Sequence, residues 1–333
     1  MVSWIQNSIR AESAELNFAK DGWTSLYVDQ DSTAASDSND GFSWERPCKT
    51  IQGAIDQADV WAKIYIAAGG EYKENVEIDT LDKIQLIGAI QDGLTRAAIN
   101  PDAGVPLTIT TGYCEVSGLA LVSQNAHALK LGGPGHKAHD LYIEVNNSTP
   151  TVVYGTYLSD ADACVLENIY YDGHSSENVI GTFVGEGSVD VGILGCYYID
   201  WGASAKPGYA IGVYDAQRVS IVPRVINGLA IPNRFVSNYL GILFNSQVGY
   251  RGHCAHGNGF WEQVDYDGYD TNDPEVSGIR VDGNFYGYTD WYRDLNKDGI
   301  ADLVVYWGGN YDNHPLAGLQ SWRTPAIERL SVI

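Results

Sequence analysis

EVSGLAL (115–121), AHDLYI (138–143), LENIYY (166–171) and LGCYYI (194–199) follow one pattern: apolar, two others, apolar, one other, apolar. The apolar positions are Val116/Leu119/Leu121, Ala138/Leu141/Ile143, Leu166/Ile169/Tyr171 and Leu194/Tyr197/Ile199. Val222/Val225/Asn227 reads as a degraded copy. Val276/Ile279/Val281 lies in EVSGIRV (275–281), which nearly repeats the first stretch. The middle positions 119, 141, 169, 197 and 225 step by 22, 28, 28 and 28 residues. A unit of that size with strand patterning cannot bury its apolar face alone. Stacked on copies of itself every ~4.8 Å, it builds a continuous core, so the repeat predicts an all-β solenoid.

Upstream, KTIQGAIDQADVWA (49–62) carries Ile51, Ala54, Ile55 and Ala58 at helical spacing, with Thr50 placed as N-cap. A helix there would cap the open end of the first coil and protect it from edge-to-edge pairing. Residues 1–22 read as a short amphipathic helix with Trp4, Ile5, Ile9 and Leu16 as its apolar positions. Residues 29–48 form a loop rich in Asp, Ser and Asn. Downstream of 283, Trp291, Trp307 and Trp322 with many Tyr suggest a small aromatic-rich β-region. The expected organisation is an arm and loop (1–48), the solenoid (49–283) and a C-terminal β-cap (284–333).

The 333 residues carry 20 Lys and Arg against 42 Asp and Glu, a formal charge of −22. That balance argues against nucleic-acid binding and against docking on an anionic membrane. There is no apolar run long enough for a membrane span, and the first 22 residues do not have the layout of a secretory signal. Five cysteines without CxxC spacing read as buried free thiols rather than as a disulfide framework.

The stretch 27–78, with SDSNDG (36–41), RPCKTIQGAIDQA (46–58), IYIAAGGEY (64–72) and ENVEI (74–78), resembles the opening of right-handed parallel β-helix proteins of the pectin-lyase-like superfamily, of the phage- or virion-associated type. The resemblance implies a loop, a cap helix, the first core strand and the start of the next. With the coil pattern it extends over roughly 27–283. The expected fold is therefore a right-handed parallel β-helix with an N-terminal capping helix and a small C-terminal β-region. The superfamily includes polysaccharide lyases, glycoside hydrolases, adhesins and tail spikes. The lyase signatures are absent, VPRVING (222–228) being only a distant echo of one, and so is the polygalacturonase set, which argues against standard pectinolytic chemistry.

If Leu141, Ile169 and Tyr197 point inward, strand alternation sends Tyr142, Tyr170 and Tyr198 outward as one column. Two residues on, Glu144, Asp172 and Asp200 form a column of carboxylates. A tyrosine row beside an acid row suits a saccharide cleft, because sugars stack on aromatic faces and paired carboxylates do acid–base work. Like charges stacked a coil apart would raise a pKa. The same acids also read as turn formers, and the same tyrosines as cross-strand stabilisers or subunit contacts. Separately, DLNKDGIAD (294–302) places Asp294, Asn296, Asp298, the Ile300 carbonyl and Asp302 at the spacing of a calcium loop, with Gly299 at the sharp turn. Position twelve is Val305 rather than Glu, so this is not a full EF-hand, and a structural Ca2+ is the expected role.

These features favour a non-enzymatic structural or receptor- and glycan-binding component of a virion: a spike, fibre or capsid-decoration protein. Its expected partners are further copies of itself, as a trimer, other virion proteins and a cell-surface glycan. The alternatives are a polysaccharide lyase or glycoside hydrolase acting as a depolymerase, and a calcium-dependent adhesin.

Overall fold

The computed structural model describes residues 23–91, 95–202, 208–238, 240–245 and pieces of five residues or fewer between 253 and 312. The arm 1–22 and the loop 294–302 lie outside the described residues. Three long sheets share the chain. The strands Glu115–Ser117, Leu119–Gln124 and Leu129–Leu131 fall one in each sheet, and Lys137–His139 returns to the first. Strands of successive coils pair in parallel, as Ala120–Gln124 does with Tyr142–Asn146. This is a parallel β-helix, as the repeat predicts. Thr24–Val28, within the stretch read as arm and loop, pairs in parallel with Ala62–Ile66 and so opens the first sheet. Parallel pairing continues past 283, as far as Phe285–Tyr286 with Tyr311–Asp312.

The apolar pattern turns out to straddle a corner. Val116 lies in the first sheet, while Leu119 and Leu121 open the second. Between them Gly118 has φ +71°, and Asp140, Asn168 and Gly195 hold the same corner at +54°, +53° and +60°. Gly, Asn and Asp are the residues that tolerate this left-handed region. The fourth copy needs correction. Measured from the corner Gly195, its inward residues are Ile193, Cys196 and Tyr198, all buried, whereas Leu194, Tyr197 and Ile199 are partly exposed. The coil is one residue shorter than its predecessor, because Tyr170 pairs with Tyr197 and Tyr171 with Tyr198. Two further copies also fall differently. Val225 and Asn227 lie in an antiparallel hairpin, Arg224–Ile226 with Leu229–Ile231, and Arg234–Val236 takes the second-sheet position. Val281 pairs with Ala255 in the first sheet, not in the second as Leu121 does.

The core is built from stacked rows of Ile, Leu, Val and Ala, with one aromatic row. Tyr171, Tyr198 and Phe235 stack at 4.5 and 5.2 Å with their ring planes nearly parallel. Facing them across the interior, Gly155 and Gly181 leave the space these rings occupy. A Cβ at Gly181 would lie 2.7 Å from the Tyr198 ring and 2.5 Å from the Ala210 carbonyl oxygen. Each buried phenol is satisfied, Tyr171 by Thr156 at 2.9 Å and Tyr198 by Thr182 at 2.8 Å. Cys48, Cys114, Cys164 and Cys196 are buried free thiols, as expected; Cys254 is in no disulfide and is only half-buried.

The helix is Ile51–Gln57, with Thr50 as its N-cap, and it buries Ile51, Ala54 and Ile55 against the first coils. It ends five residues earlier than predicted. Ala58 is already extended and Trp61 has φ +73°, which turns the chain into the strand starting at Ala62.

Candidate functional site on the second sheet

The outward face of the second sheet carries Tyr142, Tyr170 and Tyr197 on successive rungs. Their rings stack at 5.5 and 4.9 Å with interplanar angles of 16° and 14°. Tyr198, the expected third member, is in the core instead, and Tyr197 takes its place. The stacking has a chemical consequence. The ring faces are largely used on one another, so the ladder presents edges and hydroxyls outward. The rung below Tyr142 is the small Ala120, and the rung above Tyr197 is Arg234.

Two residues along the strands, Glu144 and Asp172 sit on adjacent rungs, as predicted. Asp200 is not the third rung. Ile199 pairs with Asp172, and Asp200 follows it with φ +57°. The ladder is irregular between Asp172 and Ser176, where His174 and Ser175 take φ +49° and +52°. This bulge swings His174, which sequence reasoning missed, back over the acids. Its Nε2 lies 3.1 Å from Glu144 Oε1 and 3.8 Å from Asp172 Oδ1. Its backbone N–H donates to Asp172 Oδ1 at 2.9 Å. The Tyr142 hydroxyl donates toward Glu144 Oε2 at 3.3 Å and Asp172 Oδ2 at 3.5 Å, and Asn146 Nδ2 donates to Glu144 Oε1 at 3.0 Å.

The two carboxylates thus share one phenol and one imidazole. Burial pushes the Tyr142 phenol upward and the charges of Glu144 and Asp172 add to this, so it stays a donor. Burial and then the Asp172 charge raise the Asp200 carboxyl, with His174 opposing. The arrangement offers a row of phenol hydroxyls, two anionic acceptors and an imidazole donor along one face. That set matches the alternating donors and acceptors of a polyhydroxylated ligand.

At the corner beside the ladder lies a second charged cluster that the sequence reading did not find. His139 Nε2 is 2.8 Å from Glu115 Oε1, and its Nδ1 is 2.6 Å from Asp140 Oδ2. Burial alone would lower this imidazole; the two carboxylates outweigh it and hold it up at about 9. The hydrogen bond from His139 pulls Asp140 down to about 2, against burial. Arg224, from the hairpin, places Nε 2.6 Å from Glu167 Oε1, an ion pair lying off the hydrogen-bond axis, and Nη1 3.9 Å from Asp140 Oδ1. Lys137 completes it with a 3.2 Å contact to Glu167. Both nitrogens of His139 are engaged, so the cluster is a clamp that ties three strands and the hairpin together.

Among the described residues no group of three or more His, Cys, Asp and Glu is arranged to hold a metal ion, and no helix is long and apolar enough to cross a membrane.

No protein-family model matches the sequence, and no curated protein does. Thirty-six chains of solved structures match. A GH136 lacto-N-biosidase from Eubacterium ramulus superposes with a TM-score of 0.53 at 11% identity, over 94% of this chain and 72% of that one. PfbA, a surface adhesin of Streptococcus pneumoniae, gives 0.49 at 13%, over 75% and 71%. The tailspike protein of E. coli bacteriophage HK620, in complex with a pentasaccharide, gives 0.48 at 11%, over 93% and 62%. The fold is a parallel β-helix, shared with the lacto-N-biosidase over most of this chain. At these identities the likeness is one of architecture.

Proposed function

We propose that the protein is a glycan-binding β-helix of a virion or cell surface, and that the outward face around Tyr142, Tyr170 and Tyr197 is its binding groove. The observation that carries this is the hydroxyl row of the tyrosine ladder set beside Glu144, Asp172 and His174. The neighbours that bind or cleave saccharides are consistent with it, as architecture only. The test is a glycan array probed with the unmodified protein and with Tyr170→Ala, whose exposed ring can be removed without opening the core. Binding that disappears in the variant supports the groove; binding indifferent to Tyr170 moves it elsewhere.

A depolymerase reading has its own support. Glu144 and Asp172 share the Tyr142 hydroxyl and the His174 imidazole, while Asp200 is biased toward its protonated form. A carboxyl raised by its surroundings beside a second carboxyl is the pairing that glycoside cleavage uses. Release of new reducing ends from any bound polysaccharide, abolished in Asp172→Asn and Asp200→Asn, would establish it. Binding without turnover leaves the protein a receptor-binding component. Assembly as a trimer and a structural Ca2+ at 294–302 belong to the same proposal.

A further inference from the structure

The coil that carries the hairpin is long for one reason. Tyr197 and Arg234 occupy adjacent rungs yet are 37 residues apart, against 27 from Tyr170 to Tyr197 and 28 from Tyr142 to Tyr170. Much of the excess sits in the corner between the first and second sheets, where Asp140, Asn168 and Gly195 manage the turn elsewhere. It folds as the hairpin, closed by Asn227 and Gly228, both at positive φ. Its base packs against Gly195, where a Cβ would lie 2.7 Å from Arg224 Cβ and 3.3 Å from the Ile231 carbonyl. From there Arg224 reaches back past the coil of Gly195 to Glu167 and Asp140, two and three coils away. Asp140, Asn168 and Gly195 each stand two residues, roughly 7 Å of strand, before Tyr142, Tyr170 and Tyr197. The hairpin base therefore runs alongside the ladder across three coils.

The tip is bare. Leu229 is 73% exposed and Ile226 37%, and a Cβ on Gly228 would meet nothing within 4 Å. The groove floor beside it is polar, because the ladder's ring faces are spent on stacking. This corner of the helix exposes aliphatic groups at the hairpin tip and, several coils away, at Ile90; those of the tip belong to the coil next to Tyr197, and exposed aliphatic groups beside a binding surface mark a contact. We propose that the hairpin Arg224–Ile231 is one wall of the groove, and that Ile226 and Leu229 select glycans bearing methyl-carrying substituents, acetyl or 6-deoxy. The proposal rests on the glycan-binding reading of the ladder.

The experiment uses matched pairs of immobilised oligosaccharides: N-acetylated against de-N-acetylated hexosamine oligomers, and 6-deoxy against parent hexose oligomers. The full chain is compared with Tyr170→Ala, with the double variant Ile226→Ser/Leu229→Ser, and with Gly195→Ala, which forces the hairpin base off its seat. The expected result is at least a fivefold preference for the methyl-bearing member in the unmodified protein. That preference collapses in the double variant and in Gly195→Ala, while the double variant keeps its melting temperature. Preference retained in the double variant, with binding lost in Tyr170→Ala, overturns the role of the hairpin and leaves the groove standing. Failure of every probe to bind, or binding untouched by Tyr170→Ala, overturns the groove and the hairpin's role together.

Discussion

At the scale of single residues, the doublet Tyr197–Tyr198 shows what alternation alone determines. Strand patterning says that one of the two faces inward; it does not say which. The answer lies in Gly195, whose positive φ sets the corner from which the inward positions are counted. The corner residues were visible in the sequence, but the 28-residue spacing was extended through a coil of 27. Truncating the buried ring in Tyr198→Ala should cost about 3–5 kcal/mol, read by denaturant unfolding, whereas Tyr197→Ala should cost less than about 1 kcal/mol. Equal losses would contradict the register. The clamp makes a prediction of different kind. His139 binds its proton more tightly in the folded state, so its contribution is full below the unfolded value of about 6.5 and is lost as pH rises through about 9. Stability should fall by about 3 kcal/mol over that window, and His139→Gln should flatten the profile. Nothing in the spacing announced this cluster, because its members come from three coils and a hairpin.

Among the elements, the helix was legible at its start and not at its end. Thr50 is the N-cap read from sequence, and its side chain accepts from Gly53 N–H at 2.9 Å. The remaining donors depend on tertiary partners: Glu74 accepts from Ile51 and Gln52 at 2.8 and 3.0 Å. Such long-range caps leave no local signal. The hairpin did leave one, since Asn227-Gly228 between apolar residues is the usual two-residue turn, and the expectation of a further coil obscured it. The facing glycines of the third sheet are equally specific. Gly181→Ala should destabilise by about 1–3 kcal/mol, measured by thermal or chemical unfolding, because its Cβ would press on a carbonyl and on the Tyr198 ring. A neutral outcome would mean that the aromatic row can shift.

For the whole molecule, the repeat and the opening segment made the fold readable, since period and alternation are properties of stacking itself. The site was readable only in part. Tyr142, Tyr170, Glu144 and Asp172 followed from period two, whereas Tyr198 and Asp200 did not, and His174 reaches the acids through a bulge that breaks the period. The loop 294–302 supplies a prediction at this scale: Ca2+ should raise the melting temperature, and Asp298→Ala should abolish the rise. No rise in the unmodified protein disposes of the ion. The hairpin coil carries a broader implication. An insertion there leaves Arg234 on the rung next to Tyr197 and Phe235 stacked on Tyr198, so core and exterior are specified by separate stretches of each coil. The corners at Asp140 and Asn168 are equivalent entry points. Transplanting a foreign loop into either would give the same chassis a new fence beside the same floor, and recognition could diversify one coil at a time while the scaffold stays unchanged.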